Sequence, residues 1–152
     1  MCQALNALKR RLPGIAAMAL LAASALAGCS SQVPDEVNAQ WTLIDPAGVN
    51  ESSTSLQLGV MAIACTSGTT GEIAATDVEL SNDQIVIGIA VEPAEGDTHT
   101  CPGNETVPYT LELDEPVGDR TLIDASCLEG IGQKTTACQD GGIRWSPPAE
   151  QS

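Results

Sequence analysis

The sequence predicts an all-β fold, on three observations. After residue 29 no stretch shows convincing helical periodicity, whereas several short runs alternate apolar and polar side chains in steps of two. Clusters of Gly, Pro, Asn, Asp and Ser separate those runs, as turns require. Four cysteines, Cys65, Cys101, Cys127 and Cys138, lie in the same region and suit an exported domain stapled by two disulfides. The expected architecture is a small antiparallel β-sheet or sandwich of five to seven strands, braced by two disulfides.

In chain order, Trp41 to Ile44 is expected to be a short first strand, closed by Asp45-Pro46. Asn50 to Ser55 is loop. Leu56 to Ala64 alternates well, with Leu56, Leu58, Val60, Ala62 and Ala64 on one face, and Thr66 to Gly71 turns the chain. Ala75 to Leu80 reads as a half-buried strand with Thr76, Val78 and Leu80 on its apolar side. Ser81-Asn82-Asp83 is a turn signal, and Gln84 to Glu92 is apolar on both faces, which is expected of a central strand. These two strands form the clearest hairpin in the chain.

Pro93 to Thr106 is a long loop carrying Cys101. Val107 to Leu113 is the next strand, with Val107, Tyr109, Leu111 and Leu113 inward. Pro108 lacks a backbone donor and belongs at a strand start or an edge. Asp114 to Asp119 turns, and Arg120 to Asp124 is expected to close the meander as a short strand. Cys127 to Trp145 reads as a disulfide-closed loop plus the segment Ile143-Arg144-Trp145.

The first 28 residues have a different character. Lys9, Arg10 and Arg11 precede an uncharged run from Leu12 to Ala27, whose apolar centre, Ile15 to Leu26, is too short to span a bilayer as a helix. A basic start, a short apolar core and small residues at its end make a secretory signal peptide. Leu26-Ala27-Gly28-Cys29 resembles the bacterial lipobox, in which small residues admit the peptidase and the cysteine thiol receives a diacylglyceryl group. The resemblance implies lipidation at Cys29, cleavage before it, and palmitate-type chains that hold the product on a membrane. The organisation expected is residues 1–28 signal peptide, 29–40 acylated cysteine and tether, 41–145 all-β domain and 146–152 a fraying tail.

Cleavage removes three of the six basic residues. Arg120, Lys134 and Arg144 then face all 20 acidic residues, a net charge of −17. Such a surface repels nucleic acid and anionic lipid headgroups alike. The remaining 124 residues suffice for one domain. They hold no Phe and one Tyr, so the core must rest on aliphatic side chains, and covalent staples gain importance. Three disulfide pairings can be drawn among the four cysteines. The preferred one, Cys65–Cys101 with Cys127–Cys138, ties chain neighbours without threading. CxxC spacing is absent, so no metal site is expected.

Between Leu56 and Ser126 the run "DVELSNDQIVIGIAV", the flanking cysteines and above all "ELDEPVGDRTLIDAS" resemble a group of small exported actinobacterial lipoproteins that carry a "LDEPLGDRT"-like segment. The resemblance implies export and supports the Cys65–Cys101 pairing. It assigns no catalytic or binding residue, and the Cys127–Cys138 region lies outside it.

The residues speak against most enzyme chemistry. His99 is the single histidine, and it sits in a loop with no GxSxG elbow anywhere in the chain. Carboxylate pairs such as Asp114/Glu115 and Glu92/Glu95 lack the aromatic platforms of a sugar cleft, and the calcium-loop pattern is missing. Asp114, Glu115 and Arg120 form a candidate binding turn, with carboxylates, a rigid proline and a guanidinium suited to bidentate contact. A shaped turn in which Pro116 sets φ, Gly118 takes an unusual dihedral and Arg120 pairs with a nearby carboxylate explains the same residues. The expected function is a non-catalytic, membrane-anchored cell-envelope lipoprotein that binds or assembles an envelope partner, without cofactor. The alternatives are an inhibitor of an exported hydrolase acting through the stapled loop, and a small hydrolase using His99.

Overall fold

A computed structural model describes residues 37–95 and 99–148. They belong to one compact unit, Val33–Ser152. The fold is all-β, with seven strands among the described residues: β1 (Val37–Leu43), β2 (Ser55–Ala62), β3 (Ile73–Leu80), β4 (Gln84–Val91), β5 (Val107–Glu112), β6 (Thr121–Asp124) and β7 (Ile143–Trp145). They form one mixed sheet in the order β5-β2-β1-β4-β6-β7, with β3 on the other side of β4.

β4 organises the molecule. One of its edges is filled by β3, paired from Ile85 to Val91. Its other edge is shared: Gln84 to Ile87 pair in parallel with β6, and Ile89 to Val91 pair antiparallel with β1. The sheet therefore forks at β4, and its arms turn their apolar faces toward one core. Leu56, Leu58 and Val60 of β2 and Trp41 of β1 meet Ile85, Ile87 and Val91 of β4 and Leu122 of β6 there, all fully buried. Alternation of two per strand produces this directly, because every second residue of β2 and β4 faces inward.

The expectations at β4 and β5 hold, as does the β3–β4 hairpin, and the segment Ile143-Arg144-Trp145 forms a short strand of its own. Four details differ. β6 is not the last strand of a meander: it leaves β5 at the far edge and runs parallel to β4, so the sheet is mixed rather than antiparallel. Leu122, Ile123 and Asp124 are all buried, and the fork beside β4 encloses them as an outer position next to β5 would not. β3, expected to be half-buried, has no buried residue; it overhangs the core as an edge strand. The first strand starts at Val37, inside the segment assigned to the tether, because its first residues complete the second edge of β4. β2 ends at Ala62, two residues early, where Ala62 N–H turns to the Thr70 hydroxyl (3.1 Å).

Candidate functional site

Cys29 and its lipobox lie outside the described residues. Both expected disulfides, Cys65–Cys101 and Cys127–Cys138, are present. The first is exposed and ties the end of β2 to the long loop before β5. Asn104 reinforces it by donating from Nδ2 to the carbonyls of Ala62 (2.9 Å) and Ala64 (2.7 Å), while Thr70 donates to the Glu105 carbonyl (2.6 Å). His99 is half-buried on this loop, two residues from Cys101.

The turn Asp114 to Asp119 is shaped from within. Leu113 and Val117 N–H donate to the carbonyls of Thr54 and Ser53, and Gly118 N–H to that of Glu51. Val117 is wholly buried, and Gly118 has φ +60, the left-handed region that glycine enters without a Cβ penalty. Arg120 turns back on this loop. It donates to the carbonyls of Val117 (2.9 Å) and Pro116 and lies 3.4 Å from the Glu115 carboxylate, with its side chain 12% exposed. Glu115 and Arg120 are thus brought together, Asp114 stays exposed outside the pair, and the guanidinium is used within the turn. An incoming ligand finds its carboxylates but few free arginine donors.

A second polar constellation escaped the sequence. At the fork, Trp41 sits where β1 leaves β4, and its backbone N–H has lost its strand partner. The Asp124 carboxylate accepts that N–H (3.0 Å), while the Trp41 indole donates to the carbonyl of Ile87 (3.0 Å). Both orphaned ladder groups are satisfied by side chains, as buried backbone groups must be. Asp124 also accepts from Ser126 N–H (3.0 Å) and from Arg144 (2.7 Å). Arg144 donates further to the Ala137 carbonyl (2.8 Å) and lies 6.0 Å from the Trp41 ring centre. Asp124 is fully buried, and Arg144 is 7% exposed. The Arg144-Trp145 pair, which resembles a binding hot spot in composition, is therefore internal at Arg144, and Trp145 packs half-buried against the core. The available signal was scarcity: with three basic residues after Cys29, one of them between Ile143 and Trp145 of a strand invites a buried partner.

Among the described residues one open hollow, of about 270 Å³, lies beside the Cys65–Cys101 disulfide against Gln40 and Asn104, and two further surfaces are open. One is a hollow of about 520 Å³ where Trp145 and Pro148 face Pro46, Val49 and Glu51. The other lies over the outer face of the β3–β4 hairpin, where three adjoining hollows of about 350, 200 and 110 Å³ share Gly88 as floor. Among the described residues no group of three His, Cys, Asp or Glu side chains is arranged to hold a metal ion.

Comparison with protein-family models, with curated proteins and with solved structures gives no match to this chain.

Proposed function

We propose that the protein is a non-catalytic lipoprotein of the cell envelope, held by lipid on Cys29 at the extracytoplasmic face of the cytoplasmic membrane, where its β domain binds a protein partner. The observation that carries this reading is the Leu26-Ala27-Gly28-Cys29 sequence, preceded by an uncharged apolar run and a basic start. Two or three acyl chains, at about 0.8 kcal/mol per buried CH₂, hold far more firmly than one marginal chain. Seven residues, Ser30 to Glu36, separate Cys29 from the start of β1. Fully extended they reach about 25 Å, which keeps the domain within a short distance of the lipid. A net charge of −17 after cleavage disfavours close contact with anionic headgroups, so the lipid supplies the attachment and the acidic surface the stand-off.

Metabolic labelling with an alkyne fatty acid tests the anchor. Wild-type protein takes the label and sediments with membranes, whereas Cys29→Ala is unlabelled and appears in the medium. Equal labelling of the two, or an unlabelled wild-type chain, rejects the lipoprotein reading.

A further inference from the structure

The edge strand β3 combines three properties found together nowhere else among the described residues. It is eight residues long, pairs with β4 alone, and has six exposed and two half-buried positions. A strand edge of this kind presents a row of backbone N–H and C=O groups ready to accept another strand. Its two faces differ in chemistry. Ala75, Asp77 and Glu79 share one face, and Thr76, Val78 and Leu80 the other, with Leu80 41% exposed. Asp77 lies opposite Gly88 and Glu79 opposite Val86, so both carboxylates stand beside the hollow of about 350 Å³ over the hairpin. Glu129 and the half-exposed Leu128 line its far side.

Among the described residues no ion pair offsets the negative charge of this face. The ion pairs among the described residues are Arg120–Glu115 and Arg144–Asp124, and neither reaches it. Among the described residues no three His, Cys, Asp or Glu side chains are grouped to ligate a metal, and carboxylates beside the exposed Leu80 and Leu128 complement a cation with an apolar body. A second copy of the chain is a poor occupant, because antiparallel pairing of β3 with itself sets Asp77 and Glu79 against their own kind, and like charges on facing strands are destabilising.

We propose that the free edge of β3 accepts an extended peptide segment of a partner protein in which cationic residues alternate with apolar ones. Its backbone extends the sheet, its lysine or arginine side chains lie over Asp77 and Glu79 toward the Gly88 hollow, and its apolar side chains cover Val78 and Leu80. This mode, strand addition with specificity set by alternate side chains, gives the partner-binding reading above a place and a ligand chemistry, and it rests on that reading.

The test uses the full chain in detergent and a fluorescent peptide, Lys-Thr-Lys-Val-Lys-Ile-Lys, blocked at both ends. Binding by anisotropy is expected to weaken at least tenfold in Asp77→Lys/Glu79→Lys, while Glu105→Lys/Asp119→Lys, with the same change of net charge at exposed positions away from β3, stays within twofold of wild type. Two peptides N-methylated on alternate residues report the backbone: the one whose bonding N–H groups are blocked loses binding at least tenfold, and the other retains it. Equal losses in both double variants, equal binding by the two methylated peptides, or no binding to wild type overturns the proposal. Cys29→Ala leaves the peptide affinity unchanged, so failure at the edge and failure of the lipid anchor are read separately.

Discussion

The Asp124 carboxylate is fully buried, yet its oxygens receive three donors: Trp41 N–H, Ser126 N–H and the Arg144 guanidinium. A buried pair adds little stability relative to apolar side chains of equal size, but removing one member strands the other charge, at a cost of about 3–5 kcal/mol. Asp124→Ala is therefore expected to lower unfolding stability by that amount in urea titration. Asp124→Ala/Arg144→Met should recover part of the loss, since neither charge is then left alone. Glu115→Ala provides the contrast. That carboxylate is 56% exposed and 3.4 Å from Arg120, and exposed pairs are worth about 0–1 kcal/mol. Equal effects of Asp124→Ala and Glu115→Ala would contradict the assignment of the first pair to the fork and the second to a solvated turn.

At the scale of elements, the two disulfides divide the work unequally. Cys65 and Cys101 are 36 residues apart and Cys127 and Cys138 are 11 apart. By the entropy of the chain loop that each closes, the first stabilises by about 4 kcal/mol and the second by about 3. Accessibility runs the other way. Cys65 and Cys101 are exposed, whereas Cys127 and Cys138 are buried at 6% and 8% exposure beside Arg144. Mild thiol reductant followed by alkylation and mass spectrometry should label Cys65 and Cys101 first, because attack on a disulfide requires access to its sulfur. Earlier labelling of Cys127 and Cys138 would show that the turn around Arg144 opens more readily than its packing indicates. The strands themselves were legible where one face alternates, as in Leu56, Leu58 and Val60 or Ile85, Ile87 and Ile89. β3 was legible as a strand but not as an edge, since Thr76, Val78 and Leu80 look inward by pattern, while their exposure depends on how far β3 overhangs the core. For the candidate site the same limit holds: Asp77 and Glu79 carry no motif, and only pairing with β4 sets them beside Gly88.

At the scale of the whole molecule, acidic residues outnumber basic ones by 20 to 6, and mutual repulsion works against the compact state. Raising ionic strength from 0.01 to 0.15 M shortens the Debye length from about 30 to 8 Å. The melting temperature should rise with it by roughly 5 °C, on the order of 1 kcal/mol for a domain of this size. Scanning calorimetry at the two salt concentrations checks this, and a fall in melting temperature would mean that attractive pairs, not repulsion, dominate the surface.

Composition and pattern alone determined the all-β class, the main strands, the charge and the expectation of a lipid on Cys29, because these follow from local chemistry: period-two alternation, turn residues and a short contiguous motif. Tertiary structure alone decided the fork at β4, the parallel β6, the exposed edge of β3 and the partnership of Asp124 with Arg144 and Trp41. Those features depend on which distant segments compete for the same backbone groups. Residues 41 and 124, 83 positions apart, have no local signal to announce that one supplies the hydrogen bond the other has lost.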